Sequence, residues 1–326
     1  MTPLKSGVVS VTIVTHDNWP DLELAIESVL NQSYRNLEIV VIDNDSHDST
    51  ADEVSNRYSG RVRYIRQENR LDAGGYNRGI TETSGEFVQL LDADDFLAPN
   101  KIEKQLEVFA ANPGTDIVYG DGCQFQTSPG RPDWEGWETA QYDDMLARLL
   151  DPLGEGGGLL SHGVLMKRQA LERIGPWDEK ILSADQDYWL RCAAAGCVFR
   201  YSPGAWAFHR RRSGQMSSDR RAMLGRMEQT LTKALTYVKS EPHRSILRRR
   251  LAGIRFAIAV MHPDLDRPHA VQLLESAREL DPVRVNGMAY RIGRAVIRTP
   301  GARRAFHHPS LRHFRRRVGR AIGVLD

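Results

Sequence analysis

Long hydrophobic runs are missing from this sequence of 326 residues. No stretch reaches the roughly 18 apolar residues that a membrane-crossing helix needs, so no span is expected. The opening "MTPLKSGVVSVTIV" lacks a basic flank, apolar segment and small-residue cleavage site in series, and no secretory leader is expected. Cysteine is scarce. Cys123, Cys192 and Cys197 do not have the spacing of a metal site. Cys192 and Cys197 fall where a helix passes into a strand, which allows them to be neighbours, but free thiols in a reducing cytoplasm are the expectation. The Gly-x-Gly-x-x-Gly turn of a dehydrogenase is absent after the first expected strand, where the chain reads "HDNWPD". That stretch also lacks the glycines and basic residues of a nucleotidyltransferase. There is no internal repeat.

Charge of one sign is missing from the far end. Residues 282–326 hold eleven arginines, no lysine and one acid, a net of +10 within a chain of net +2, so the remaining 281 residues carry −8. An acidic front and a basic tail suggest two different jobs. With 41% hydrophobic residues a sizeable core can form, and the length suits one large domain with an appendage, or two domains.

What is present is an alternation. Apolar, β-branched runs at 8–15, 37–43, 62–67, 86–92 and 115–121 read as strands. Between them, Leu22, Ile26, Val29 and Leu30 follow Pro20 at helical spacing, and further helices are expected near 51–58, from "AGGYNRGITET", and over 99–111. Continuous rather than alternating apolar strands predict an α/β fold with a mostly parallel sheet covered on both faces. Ligands of such sheets bind beyond the carboxyl ends of the strands. The polar clusters Thr15-His16-Asp17, Asp43-Asn44-Asp45 and Asp92 to Asp95 fall at those ends. From about 122 the pattern turns loop-like, with Trp134 and Trp137, then a glycine-rich loop into a short strand, a helix ending at Gly196, and another strand. After "HRRRSGQMSSD" everything reads helical, over roughly 219–240, 244–262, 267–280 and 286–298, and again past Pro309.

The Asp-x-Asp of "LLDADDFLAP" suits a hard divalent ion, which takes oxygen ligands and balances a diphosphate. An equally ordinary reading is a cap for the following helix. A phosphatase would carry such a motif on its first strand, with Thr or Val two residues after the second Asp. Here the motif ends the fourth strand and that residue is Phe96.

Five stretches, in order, resemble family 2 of the inverting glycosyltransferases, which have the GT-A fold. They are "VSVTIVTHD", "AIESVLNQSYRNLEIVVIDNDSHDST", "ENRLDAGGYNRGI", "LLDADDFLAPNKIE" and "SADQDYWLRCAAAG". The resemblance covers about residues 8–215. It implies a GT-A domain over 1–218, with a nucleotide-sugar half near 1–121 and an acceptor half near 122–218, followed by a helical, arginine-rich region over 219–326. Thr15, Asp17 and Asn44 would contact the nucleoside, and Asn77, Asp92 and Arg210 the rest of the nucleotide sugar. Asn44 stands where many members have an aspartate, and Leu71 where a glycine is common. The expected donor is therefore UDP- or dTDP-linked. Asp94 would hold Mg²⁺ or Mn²⁺, with His209 as a further ligand, while Asp95 orients the loop. Asp185 would be the general base, in a segment where Ala184 replaces a common Glu; a helix N-cap is the structural alternative, and Asp187 is expected to pair with Arg191. His162 and Trp134 would lie near the acceptor.

The implied reaction is a single displacement at the anomeric carbon, in which Asp185 deprotonates the acceptor hydroxyl. The acceptor would be a glycan or a lipid-linked group in surface polysaccharide or glycoconjugate synthesis. A cytoplasmic protein is expected, peripheral on the inner membrane face or self-associated through 282–326. In that tail Val285, Met288, Ile292 and Val296, and again Leu311, Phe314, Val318 and Ile322, recur at helical spacing among arginines. Such stripes dock on anionic membranes or pack against protein. The rival class is a non-enzymatic protein that binds nucleic acid or another polyanion through the tail. That reading leaves the acids at the strand ends unexplained, and no nucleic acid is expected.

Overall fold

The computed structural model describes residues 3–125, 135–137, 139–150, 159–211, 219–262 and 265–299. The chain divides into two compact units, Met1–Ser213 and Gly214–Asp326.

The first unit runs β1 (Lys5–Thr15), α1 (Asp21–Leu30), β2 (Leu37–Asp43), α2 (Thr50–Tyr58), β3 (Arg63–Arg66), α3 (Leu71–Glu82), β4 (Gly85–Asp92), β5 (Phe96–Leu97), α4 (Lys101–Ala111) and β6 (Ile117–Tyr119). It continues with β7 (Gly122–Phe125), β8 (Glu135–Trp137), α5 (Met145–Leu150), β9 (Val164–Lys167), α6 (Arg168–Ile174), α7 (Ala184–Ala194), β10 (Phe199–Tyr201) and β11 (Ala207–Arg210). Seven strands form the main sheet in the order β10-β6-β9-β4-β1-β2-β3. β1 pairs in parallel with β2 and with β4, and β2 in parallel with β3. Only β9 runs against its neighbours, wedged between β4 and β6. Consecutive buried residues along β1, β2 and β4 show a sheet covered on both faces, as their unbroken apolar runs predict. Its core gathers Val9, Val11 and Ile13 of β1 with Leu22, Ile26 and Val29 of α1 and Phe109 of α4.

The glycines of "AGGYNRGI" have a packing reason. A Cβ on Gly75 would lie 2.5 Å from Val14 Cγ1, and one on Gly79 would lie 2.1 Å from Thr12 Cγ2. They sit four apart on one helical face, and their bareness lets α3 lie directly on β1. β5, β11, β7 and β8 make a second, four-stranded sheet. The helix expected from Pro99 starts at Lys101, because Phe96–Leu97 first pairs with β11.

The second unit holds α8 (Arg220–Tyr237), α9 (Glu241–Met261), α10 (Arg267–Leu280) and α11 (Gly287–Arg298). Asp266 caps α10 by accepting from His269 N–H at 2.9 Å, ahead of a proline in the first turn. Phe256, Leu274, Val285 and Ile297 are buried in its core, with Tyr290 and Val296 against them. Part of the first apolar stripe of the tail is therefore spent on packing within this unit. The second stripe, residues 311–324, lies outside the described residues. Arg255 ties three helices, reaching Glu228 at 2.8 Å, Thr232 at 2.9 Å and Ser276 at 2.6 Å. No described helix is long and apolar enough to cross a membrane.

Candidate active site

The carboxyl ends of β1, β2 and β4 each deliver a polar loop to the same edge of the sheet. Asp17 and Asp45 adopt left-handed backbones, at φ 46° and 67°, which short polar side chains tolerate. Ser46 Oγ accepts from Asp17 N–H at 2.9 Å, and Asp17 Oδ1 accepts from His47 N–H at 2.5 Å, so the two loops brace each other. Asn44 is a hub. Its N–H donates to Thr15 O at 2.8 Å, its Nδ2 to Leu71 O at 2.9 Å, and its Oδ1 accepts from Gln67 Nε2 at 2.8 Å. An amide donates on one side and accepts on the other, which an ionised carboxylate cannot do, and this gives a physical reason for Asn rather than Asp here. Thr15 is buried, its Oγ1 without a partner, so the expected contact through its hydroxyl finds no exposed group.

Beyond β4 the acids gather. Asp92 accepts a hydrogen bond from the buried Tyr76 hydroxyl. Burial, then the charges of Asp72 and Asp95, pushes Asp92 well above the usual carboxylate range. Asp94 is pushed up to about 6 by burial and by Asp95. Asp95 goes the other way. Burial opposes its charge, but His162 and His209 hold it well below the ordinary value. Its Oδ2 lies 3.0 Å from His162 Nδ1 and 3.2 Å from His209 Nδ1, and its Oδ1 accepts from Arg210 N–H at 2.8 Å. Arg210 also donates through Nε to Asp94 O at 3.1 Å, and lies 3.3 Å from Asp21.

Among the described residues, the metal-capable trio whose ligand atoms lie within 4.8 Å of one another is Asp95, His162 and His209. The sequence pointed instead to Asp94 with His209. His209 is half-buried and drawn up by Asp95 and Asp94 against the effect of burial. His162, expected at the acceptor, is buried under the loop at 3% exposure, with Nε2 unpartnered. It therefore presents no surface to an acceptor in this conformation.

Asp185 sits in the first turn of α7, whose N-cap is Ser183, so it does not cap the helix. The residue is exposed, and partial desolvation by the groups packed around it raises its carboxyl above its ordinary value. Asp72, in the first turn of α3, is raised likewise by desolvation and by the charge of Asp185. Asp185 and the β4 acids thus face one another through Asp72. Asp187 forms the expected pair with Arg191, at 3.0 Å.

Aromatic packing fixes α7. Trp177 stacks on Tyr188 with centroids 4.1 Å apart, and Tyr76 packs on Trp177 at 5.2 Å. Asn77, expected at the donor, is turned to this loop. Its Oδ1 accepts from Trp177 N–H at 2.8 Å, while Nδ2 donates to Trp177 O and Glu179 Oε1, each at 3.0 Å. Both ends of the amide are occupied, so its place is structural. Glu179 is held in turn by Arg70, at 2.6 Å. Asp72 and Tyr76 were not anticipated; no spacing rule singles them out, and only the close approach of α3 to β1 brings them to the crevice. Trp134 lies outside the described residues.

An open α/β sheet with an acidic crevice at its strand ends defines a nucleotide-binding architecture. Residues 10–175, about half of the chain, match the family described as Glycosyl transferase family 2, and the chain belongs to that family. An uncharacterized glycosyltransferase of Rickettsia typhi, RT0329, is 29% identical over 201 residues, covering 60% of this chain and 61% of that protein. Glycosyltransferase GlyG of Streptococcus pneumoniae is 30% identical over 129 residues, 38% of this chain and 42% of that one. The chain thus spans less than two thirds of either relative. Among solved structures, S. aureus TarS 1–349 in complex with UDP-GlcNAc superposes with a TM-score of 0.63 at 17% identity, covering 89% of this chain and 88% of that one. The mannosyltransferase PcManGT of Pyrobaculum calidifontis, in complex with GDP-Man and Mn²⁺, gives 0.58 at 18%, covering 97% and 85%. These likenesses show the GT-A fold.

Proposed function

We propose that the protein transfers a sugar from a nucleoside-diphosphate sugar, UDP- or dTDP-linked, to a hydroxyl acceptor with inversion, and that Asp185 is the general base. One observation carries this reading. Asp185 offers a solvent-reaching carboxylate, raised by its surround, into the crevice where the β4 acids end. A raised carboxyl is a better proton acceptor than an ordinary one, and an acceptor hydroxyl bound beside the β4 acids would meet it there. The loop at Asp17 would take the nucleoside, while Asn44, expected to contact it, is buried with both amide ends occupied and would shape that loop instead. The acceptor in this reading is a glycan or a lipid-linked group.

The donor set fits a divalent cation. Asp92 and Asp94 are both pushed up in part by neighbouring negative charge, the condition that a bound cation relieves. Asp94 and His209 would hold Mg²⁺ or Mn²⁺, and Asp95 would keep His209 and the Arg210 backbone in place. When bound, such a cation offsets the charge of a diphosphate leaving group.

The test is Asp185→Asn. Transfer should fall by about 10²–10⁴-fold, the usual weight of a general base. Donor affinity by calorimetry should change little, because the base touches the acceptor. Loss of donor binding together with activity would assign Asp185 to the nucleotide site or to the fold.

A further inference from the structure

The cysteine pair lies at the end of α7 opposite Asp185. The helix closes in a Schellman turn. Gly196 takes φ 77°, its N–H donates to Ala193 O at 3.1 Å, and Cys197 N–H donates to Cys192 O at 3.0 Å. That second bond sets the two cysteines against each other, and their side chains interact. Both are buried, at 1% and 8% exposure. An apolar contact between these positions is common in such turns, and two aliphatic residues would serve it as well.

An apolar contact does not need a cation on one sulfur. Arg173, in the last turn of α6, places Nη2 3.2 Å from Cys197 Sγ. Asp116 Oδ2 holds the same Nη2 of Arg173 at 3.0 Å, and accepts from the N–H of Val198, the residue after Cys197, at 2.9 Å. The Arg173 side chain is 48% exposed, so the charge beside the sulfur stands at the protein surface. Cys192, and then Arg173, draws the Cys197 thiol down to about 7, while burial pushes Cys192 up. Cys123 has neither partner; its Sγ faces Gln124 O at 3.7 Å, and burial pushes it up.

We propose that Cys197 and Cys192 form a reversible oxidation site for hydroperoxides, in which Cys197 is the attacking sulfur, Cys192 the resolving one and Arg173 the residue that activates Cys197. The Cys197 thiolate attacks the O–O bond. It forms an S–O bond and expels an alkoxide, or hydroxide from hydrogen peroxide, which leaves protonated. The Cys192 sulfur, losing its proton, then attacks the sulfenic sulfur; the S–S bond forms and the hydroxyl departs as water. Two thiols are oxidised by two electrons, and the peroxide is reduced. A dithiol reductant reverses the change by exchange.

The experiment uses full-length protein treated with hydrogen peroxide, alkylated in denaturant, digested and weighed by mass spectrometry. The expected product is a single peptide that carries both Cys192 and Cys197 unalkylated and two hydrogens lighter than its dithiol, which dithiothreitol returns to the alkylatable form; Cys123 is recovered alkylated. Arg173→Gln alters a surface residue and should slow cross-linking several-fold, because it lowers the thiolate fraction. In Cys192→Ser, dimedone should trap a sulfenic acid at Cys197. No Cys192–Cys197 cross-link at peroxide exposures that already oxidise Cys123 would overturn the proposal. So would a cross-linking rate unchanged in Arg173→Gln.

Discussion

Asp185 shows how much a single side chain can signal. Its carboxyl is raised in the folded protein, so protonation favours the fold. That stabilisation is fully present below the unfolded value and is lost as pH rises through the folded one. Asp185→Asn removes the cost of holding that charge among groups that partly desolvate it. The variant should therefore melt higher than the parent at neutral and alkaline pH, with the gain shrinking as pH falls toward the carboxylate range. In the parent, the acid limb of the pH–rate profile should lie above the ordinary carboxylate value. Thermal melts across pH check the first point and rate profiles the second; a variant destabilised equally at every pH would contradict the upward shift and its sign. Asp185, as the base the resemblance implies, and the acids Asp92 to Asp95 were singled out in the sequence. Their partners were not. The link of Asp95 to His162 and His209 joins residues 67 and 114 positions away, and the β5–β11 pairing that brings His209 there leaves no periodic trace. The role expected of Asn77 failed to anticipate its geometry because nothing local says that its amide is taken by Trp177, 100 residues on.

At the scale of elements, α3 and the loop before α7 behave as one part. Tyr76 reaches Asp92, Asn77 grips Trp177, and Trp177 stacks on Tyr188 one turn beyond Asp185. This links the strand end read as the donor side to the helix that carries the proposed base. Asn77→Ala should let the loop shift, lowering kcat by about tenfold to a hundredfold while leaving donor KM nearly unchanged, since misplacement of a reacting group by about 1 Å costs that much. Loss of kcat with a matching rise in donor KM would place Asn77 at the donor instead. The strands β1, β2 and β4 were legible because each is a largely apolar run, and β3 was placed by its Tyr64-Ile65 pair between turns. The short strand β9 was expected, but its antiparallel place between β4 and β6, and the second sheet, were not legible, because short pairings are fixed by tertiary contacts rather than by their own sequence.

Considered as a whole, the chain combines an α/β unit and a helical unit. Its basic tail begins inside the core of the second. Val285 and Ile297 are fully or almost fully buried, and Arg294 lies 3.1 Å from Glu275. Ile297→Ala should cost about 2 kcal/mol or more through the cavity it leaves, measured by denaturant unfolding. A change well under 1 kcal/mol would show that α11 is not anchored there. For the same reason a chain ended near 281 would lose core residues along with charge, so a membrane role is better tested by replacing exposed arginines such as Arg291 and Arg298. The central claim is that the acidic crevice takes a nucleoside diphosphate together with a divalent ion. Thermal shift with UDP, dTDP and GDP, each with and without Mn²⁺, on the parent and on Asp94→Asn, tests it directly. At about a hundredfold excess over Kd a bound ligand adds about 2.7 kcal/mol, a shift of about 5 °C or more in a domain of this size. The account predicts such a shift with UDP or dTDP only when Mn²⁺ is present, and its loss in Asp94→Asn; no shift with any nucleotide, or an equal shift without Mn²⁺ and in the variant, would contradict it.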